Sequence, residues 1–342
     1  LPGQPGESTA TPPPTATVPG PAGVAWASLG AQGHLLIDQQ AQGVSFVDLV
    51  TGQLQRVFSP QDPSAAWANG ASESPDGKNI VIAYAPPPAE GDVQFGYTRL
   101  YLLPSDGSAA PRPFLIPGSP EESYFDPSWS PQGDSIVYAH LEHFAIPNTT
   151  PQQYGFTYTI ERASYPDGQI QVLAHNGFWP RLSLDGSRLV YVSIDPNTGA
   201  TTPVVCQADG SDPHVVSTPA EFQTVDAPLF TPDGQSLLLS VVTQGLSDLG
   251  RPPNTTWWDR LLGISVAEAH NIPSDWWAVP LDGSDPTQLT HVNDVGLFGS
   301  FSPDGSLFAY GSQSGLFVGQ SDLSEFQQVD DVAGVLTVDW VP

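Results

Sequence analysis

The chain has 342 residues, of which 39% are hydrophobic, and it contains nine Trp, ten Tyr and fifteen Phe. A disordered acidic chain carries less apolar material, so the sequence predicts a folded core. Nine basic residues against 36 acidic ones give a formal charge of −27, and Lys78 is the single lysine. This charge repels phosphate backbones and anionic membranes, which excludes nucleic acid as a partner and leaves cationic partners open, Ca²⁺ included.

Cysteine and methionine usage bear on where the protein works. Cys206 is the one cysteine and stands in a β-prone run, so we expect a buried thiol and no internal disulfide. The chain contains no methionine. A cleaved export signal is the simplest reason, although trimming would look the same. The sequence has no run of 18 apolar residues, so it predicts no membrane-spanning segment. We therefore expect an extracytoplasmic protein: secreted, periplasmic or at the cell surface.

Residues 1–23 are almost entirely Pro, Gly, Thr, Ser and Ala. Such a segment cannot bury enough surface to offset the entropy lost on ordering, which predicts an extended tail or linker. The alternative is an arm that docks as a strand or orders on a partner. Either form allows the tail to anchor the protein at a surface.

A turn signature then recurs along the chain, and each copy precedes a short apolar β-prone run. The copies are SPDG at 74–77, SPQG at 130–133, SLDG at 183–186, TPDG at 231–234 and SPDG at 302–305. Pro presets φ at the second turn position and Gly accepts a positive φ, so each copy predicts a tight turn between antiparallel strands. Self-similarity on this scale indicates a propeller or a solenoid.

A second turn, usually Asp-Gly, recurs within each unit, so every unit is predicted to hold four strands, the content of one propeller blade. The sequence therefore predicts an all-β, six-bladed propeller over 24–342, with blades at roughly 24–60, 61–120, 121–176, 177–220, 221–294 and 295–332. The last strand, 335–342, matches the strand that precedes a signature. We expect it to close the ring in blade 1, which removes an exposed edge.

The repeated (S/T)-P-D-G followed by an apolar strand resembles the TolB-like, WD-related propeller repeat. The resemblance covers 24–342 and is weak only in the first repeat. It implies the fold but not one function, because such propellers include periplasmic adaptors, accessory domains of peptidases and oligogalacturonate-lyase-like enzymes. The Pro/Thr-rich tail is similar to that of bacterial surface lipoproteins, but no lipobox cysteine stands at position 1.

A search for catalytic chemistry finds no constellation. No G-x-S-x-G pentapeptide occurs, and the repeats take up the length that a hydrolase domain would need. His140 and His143 form the only histidine cluster, but residues three apart in a strand point to opposite faces. We interpret this cluster as a solvated strand end, with a metal site as the alternative. The Asp-Gly pairs are interpreted as turn chemistry, with Ca²⁺ binding as the alternative. No catalytic residue, metal site or cofactor is predicted.

The connections between second and third strands are long in three blades, and in a propeller they all open on one face. The insertions are 85–96 in blade 2, 141–157 in blade 3 and about 244–274 in blade 5. Loops on a rigid scaffold are where binding sites usually lie. The blade 5 insertion spaces its apolar residues as a short helix, which either packs on its own propeller or presents a patch to a partner. The candidate partner-binding residues are Phe95, Phe144, Tyr154, Trp257, Trp258, Leu261 and Leu262.

These features predict a non-enzymatic propeller that binds a protein partner, or assembles with itself, through the insertion-bearing face. The alternative is a propeller enzyme, lyase-like or lactonase-like, that acts on a polysaccharide or small ester in the central channel. A convergent cluster of three or more His or Asp residues at the channel would favour the enzyme.

Overall fold

The computed structural model describes residues 17–18, 28–62, 66–87, 97–119, 122–148, 150, 153–195, 198–243, 272–329, 332, 335 and 337–341. Within those residues, antiparallel strands form six separate sheets, each of which is one blade. This architecture confirms the predicted six-bladed, all-β propeller.

The strands follow one another along the chain in blade order. Blade 1 contains β1 (Thr17–Val18), β2 (His34–Asp38), β3 (Val44–Asp48), β4 (Leu54–Phe58) and the terminal β25 (Thr337–Val341). Blade 2 contains β5 (Trp67–Glu73), β6 (Asn79–Ala85), β7 (Arg99–Pro104) and β8 (Arg112–Leu115). Blade 3 contains β9 (Glu122–Trp129), β10 (Ser135–Ile146), β11 (Gln153–Ser164) and β12 (Ile170–His175).

The remaining three blades repeat the pattern. Blade 4 contains β13 (Gly177–Leu182), β14 (Arg188–Ile194), β15 (Thr201–Gln207) and β16 (His214–Val215). Blade 5 contains β17 (Thr224–Phe230), β18 (Ser236–Val242), β19 (Asp275–Pro280) and β20 (Thr287–Gln288). Blade 6 contains β21 (Phe298–Phe301), β22 (Leu307–Ser312), β23 (Gly315–Gln320) and β24 (Phe326–Val329).

The signature turns owe their sequence to a short hydrogen-bond relay. In the first copy the Ser74 hydroxyl donates to Asp76 Oδ1 at 2.7 Å and accepts from the Asn79 N–H at 3.0 Å. Gly77 has φ +68°, a conformation that favours glycine. The last copy repeats the first of these bonds: the Ser302 hydroxyl donates to Asp304 Oδ1 at 2.6 Å. The relay explains why Ser or Thr, Asp and Gly recur at fixed positions.

The ring closes through the C-terminal strand, as predicted. Strand β25 pairs antiparallel with β2 from His34↔Val341 to Asp38↔Thr337. Polar groups of the innermost strands then bond across the blade junctions. Ser300 Oγ accepts from the Trp340 N–H at 3.0 Å, and Asp339 Oδ2 accepts from the Ser72 hydroxyl at 3.0 Å. These bonds tie the closing strand to the blades on both sides of it.

The core lies between neighbouring blades. Tyr138, Tyr310 and Trp276 are among the largest fully buried side chains. The Trp276 ring lies edge-on to Phe308, with the ring centroids 5.3 Å apart. Cys206 is buried, as expected, and burial followed by the charge of Asp209 raises the pKa of its thiol to about 11.

Four innermost strands contain a β-bulge at equivalent positions. The bulged residues have positive φ and are Gly70 (+100°), Asp126 (+48°), Trp179 (+51°) and Ala227 (+45°). The strand registers shift at the same places in β5, β9, β13 and β17. A bulge bends its strand and re-aims the side chains beside it, and these bulges lie in the first strand of their blades.

Most of the N-terminal tail lies outside the described residues. Thr17 and Val18 form β1 and pair antiparallel with Gln55 and Leu54 on the outer edge of β4. The boundary at 23/24 stays a prediction.

Candidate functional site

The insertion face is the end of the propeller where second strands connect to third strands. The insertions at 88–96 in blade 2 and 244–271 in blade 5 lie outside the described residues. The same is true of five predicted partner-binding residues, namely Phe95, Trp257, Trp258, Leu261 and Leu262. The blade 3 insertion is described except for residues 149, 151 and 152, and we call its two strands the blade 3 hairpin (β10, Ser135–Ile146, and β11, Gln153–Ser164).

The blade 3 hairpin extends beyond its own sheet. Strands β10 and β11 pair without a register shift from Ser135↔Ser164 to Ile146↔Gln153. Pairing of β10 with β9 ends at Glu142↔Glu122, so the last four residues of β10 pair with β11 alone among the described strands. At the usual rise per residue, the hairpin projects about 13 Å past β9.

The projecting part presents aromatic side chains. Phe144 is 47% exposed, and its ring lies over Gly155, because a Cβ on that glycine would come within 2.4 Å of the ring. The His143 ring lies edge-on to Phe156 at 4.6 Å and to Tyr97 of blade 2 at 5.8 Å between centroids. Tyr154 pairs with Ala145 through the backbone. Of the seven predicted residues, the structure therefore places Phe144 and the backbone of Tyr154 on this projection.

The base of the hairpin contains an ion-paired cluster. His140 Nδ1 lies 2.9 Å from Glu161 Oε1, and its Nε2 lies 3.4 Å from Glu122 Oε2. Glu161 also accepts from the hydroxyls of Tyr138 at 2.7 Å and Thr159 at 3.1 Å. The three charged side chains are only 8–15% exposed. The cluster therefore joins β9, β10 and β11 where the projection begins.

The electrostatics of this cluster favour its charged form. Burial alone would lower the pKa of His140, but the hydrogen bond and charge of Glu161, followed by the charge of Glu122, raise it above the ordinary value. Burial alone would raise the pKa of Glu161, but hydrogen bonds from His140 and Tyr138 and the charge of His140 lower it. Glu161 and Glu122 thus favour the imidazolium form of His140 more than water favours it in a free histidine.

Sequence reasoning interpreted His140 and His143 as a solvated strand end, and for His140 this is wrong. Strand β10 continues through both residues, and the two rings point to opposite faces, as the spacing of three requires. His140 meets carboxylates from two neighbouring strands that are distant in sequence. Sequence analysis did not identify Glu122 and Glu161 as partners of His140, because the pairing register of their strands with β10 cannot be predicted from one sequence.

A second group of polar residues surrounds the propeller axis. Asp38, Asp126 and Asp226 are buried, and Asp339 is half-buried, on or beside the inner strands. Burial raises the pKa of Asp126 to about 6; the charge of Arg181 lowers this pKa, and the charge of Asp38 raises it. Burial raises the pKa of Asp38 to about 6 and that of Asp226 to about 8. These carboxyls retain protons at a higher pH than ordinary aspartates.

Neither polar group is arranged as a metal centre. Over the described part of the chain, no group of three or more His, Cys, Asp or Glu side chains is placed to hold a metal ion. The Asp-Gly pairs form turns, as the sequence predicts. In three of them the aspartate accepts a 2.9 Å hydrogen bond from the N–H of the second residue after it; these are Asp106, Asp209 and Asp282.

These features define the class as a six-bladed β-propeller with a projecting hairpin on one face. No protein-family model matches the chain, and no curated protein matches its sequence. The structure is similar to TolB from Acinetobacter baumannii, with a TM-score of 0.57 and 16% identity over 91% of this chain and 67% of that one. It is also similar to a chain of a nidogen/laminin complex, with a TM-score of 0.56 and 10% identity over 90% and 97%.

A third similar structure is a puromycin-hydrolyzing peptidase from Mycobacterium tuberculosis, with a TM-score of 0.50 and 17% identity over 90% of this chain and 46% of that one. At these identities the likenesses concern the fold alone. They confirm the TolB-like resemblance at that level. In the described residues, no helix is both long enough and apolar enough to cross a membrane.

Proposed function

We propose that the protein is a non-enzymatic binding propeller that works outside the cytoplasm and holds a protein partner on its insertion face. One observation carries the proposal: the blade 3 hairpin projects an exposed Phe144 from a base held by the His140 ion pairs. Aromatic side chains on a rigid support are the usual anchors of protein interfaces. A structural or assembly role, with anchoring through the tail, agrees with this arrangement.

The fold and charge support the same proposal. The chain of similar fold in the nidogen/laminin structure belongs to a complex of proteins, which agrees with a protein partner. The charge of −27 favours a basic partner surface and speeds its approach through long-range attraction. The predicted patch at Trp257, Trp258, Leu261 and Leu262 would enlarge the binding face.

Affinity capture with matched variants tests the proposal. Phe144→Ala removes the exposed ring on the insertion face, whereas Leu184→Ala removes a 53% exposed side chain in a signature turn at the opposite end. We expect wild type and Leu184→Ala to capture the same protein from native extracts and Phe144→Ala to lose most of it. Equal capture by all three proteins would reject the insertion face as the binding surface.

A second candidate function is a lyase-like or lactonase-like activity on a polysaccharide or small ester. The observation in its favour is the set of carboxyls at the axis whose pKa is raised. The charge of Asp38 raises the pKa of Asp126, and the charge of Arg181 lowers it. A carboxyl that holds its proton near neutral pH can act as a general acid. Assays with polygalacturonate and simple lactones, on wild type and Asp126→Asn, distinguish the two: turnover that the variant loses would favour the enzyme.

A further inference from the structure

The outer strands of the blades differ in how well their open edges are protected. An unpaired edge invites another strand, and proteins prevent this by covering edges, shortening them or placing Pro or charged residues there. Strand β4 is covered by β1, β8 contains Arg112 and Pro113, and β16 and β20 have two residues each. Strand β24 has four residues. Strand β12 of blade 3 has six residues, Ile170–His175, with no Pro, Lys, Asp or Glu.

Strand β12 also exposes apolar side chains. Ile170 and Val172 are 50% and 48% exposed, and they share one face because alternate residues of a strand do. Gln171, between them, points the other way: its Oε1 accepts from Arg162 Nη2 at 2.6 Å, and its amide donates to the Asp209 carbonyl at 3.3 Å. The face of β12 that carries Gln171 is therefore hydrogen-bonded to the protein, while Ile170 and Val172 on the other face are exposed to solvent.

The backbone of the same two residues faces the open edge. The Ser164 N–H donates to the Gln169 carbonyl at 2.9 Å, and bonded pairs alternate along an antiparallel ladder. Arg162 and Gln171 are therefore the next bonded pair, and the peptide groups of Ile170 and Val172 point away from β11. No described strand pairs with this edge, so two N–H and two C=O groups are presented outward beside an apolar stripe.

We propose that the edge of β12 binds an extended segment of another protein by strand addition. Main-chain bonds to Ile170 and Val172 would supply affinity, and alternate apolar residues of the segment would pack on their side chains. The segment is neutral or basic. The molecule carries −27, which repels an acidic segment and also opposes a second copy of this chain.

This edge is separate from the partner surface proposed above. It lies on the outer rim of blade 3, where pairing with β11 ends at Thr159↔His175, whereas the hairpin continues to Ile146↔Gln153 on the insertion face. The two proposals therefore succeed or fail independently.

Binding of a labelled peptide tests the proposal on the full chain. The probe is the acetylated, amidated peptide KVTVTVK, with EVTVTVE as the acidic control, and fluorescence anisotropy measures the affinity. Val172→Pro removes an outward N–H and is sterically tolerated on an edge, whereas Val172→Thr keeps both the N–H and the branched shape. We expect binding to weaken about tenfold or more in the Pro variant and less than about threefold in the Thr variant.

A chemical control avoids reliance on the variant's folding. N-methylation of the central peptide amides should weaken binding to the wild-type protein by about tenfold, because it blocks the ladder bonds. In hydrogen exchange, the amides of Ile170 and Val172 should be fast alone and protected with KVTVTVK. The proposal fails if wild type does not bind KVTVTVK, if EVTVTVE binds as well, or if Val172→Pro and N-methylation change nothing. Sedimentation that shows a wild-type dimer lost in Val172→Pro would assign the edge to a second copy instead.

Discussion

His140 shows how one side chain can hold a projecting element in place. Its two ring nitrogens contact carboxylates from β9 and β11, so the residue connects three strands at the base of the blade 3 hairpin. Buried ion pairs of this kind contribute little unless every group is satisfied. Glu161 is satisfied through Tyr138 and Thr159, whereas His140 Nε2 has the 3.4 Å ion pair with Glu122 and no hydrogen bond among the described residues. We therefore expect the stability of the hairpin base to depend on the protonation state of this cluster.

We predict that His140→Gln lowers stability in a pH-dependent way. The folded pKa of His140 is raised above 6.5, so its stabilisation is fully present below 6.5 and is lost as pH rises through the folded pKa. The folded pKa of Glu161 is lowered below 4.5, so its stabilisation is present above 4.5 and is lost as pH falls through the folded pKa. His140→Gln should therefore lower the free energy of unfolding most, by about 2 kcal/mol, between pH 4.5 and pH 6.5.

Urea unfolding of wild type and His140→Gln across the pH range measures this difference. The gap between the two proteins should narrow as pH rises above the folded pKa of His140. A gap that is constant with pH would mean that the imidazole acts through packing and not through charge.

At the scale of elements, the closing strand β25 distinguishes the propeller from an open array. Trp340 is 7% exposed, and its Nε1–H donates to the Gln32 carbonyl at 3.2 Å. We predict that Trp340→Ala lowers the free energy of unfolding by about 3–5 kcal/mol, the usual cost of truncating a buried Trp.

Trp129, which is 6% exposed on β9 of blade 3, provides a matched control for the closing strand. Trp129→Ala should cost a similar amount, but only Trp340→Ala should increase amide exchange in His34–Asp38, the strand that β25 pairs with. Identical exchange patterns in the two variants would show that β25 does not open separately.

The N-terminal tail is predicted to be dispensable for folding. Of the tail residues that the structure describes, Thr17 and Val18 pair with β4. The Pro-, Gly- and Thr-rich composition of 1–23 offers little apolar surface to bury. The melting temperature should stay within about 2 °C of wild type, since a change of about 1 kcal/mol moves a large domain by only a few degrees. A fall of about 10 °C on deletion would instead make β1 an integral strand of blade 1.

Much of this architecture could be predicted from the sequence, because the turns are local. The Ser74–Asp76–Gly77 relay and its copies fix where strands begin, and the match of the last residues to a pre-signature strand predicts closure by β25. The bulge at Asp126 could not be predicted, because positive φ at a non-glycine residue depends on the surrounding sheet.

The candidate site was less predictable than the fold. Phe144 was selected because it lies in a long connection, and the structure shows it exposed on the projection. Its role in binding stays a prediction. The His140 cluster was missed because Glu122 and Glu161 meet it only through the registers of β9 and β11. The open edge of β12 could not be predicted either, because the sequence does not show which outer strand is long and which is covered by another strand, as β4 is by β1.

At the scale of the whole molecule, the buried carboxyls near the axis should contribute stability that falls with rising pH, opposite in sign to the contribution of the exposed turn aspartates. The folded pKa of Asp126 is raised from 3.8 to about 6, so the unfolded chain releases its proton first. The contribution of Asp126 is therefore most favourable at low pH and declines until pH passes about 6. Wild type should lose about 2–3 kcal/mol over this window from Asp126 alone.

Asp126→Asn removes this titration, so its stability relative to wild type should increase as pH rises from about 4 to about 6 and then level off. Asp106→Asn is the control, because hydrogen bonds from Ser108 lower the pKa of that exposed carboxyl. Denaturant unfolding at stepped pH measures both. A relative stability of Asp126→Asn that does not change with pH would contradict buried ionisation at the axis.

The central claim is that the partner binds the insertion face, and site-specific photo-crosslinking tests it most directly. A benzoyl-phenylalanine at position 144 samples the blade 3 hairpin, and the same group at position 184 samples the signature-turn face, both at exposed sites. On irradiation in native extracts, we predict a crosslinked partner from position 144 and little from position 184. Crosslinking from position 184 with none from position 144 would contradict the account and move the binding surface to the opposite end of the propeller.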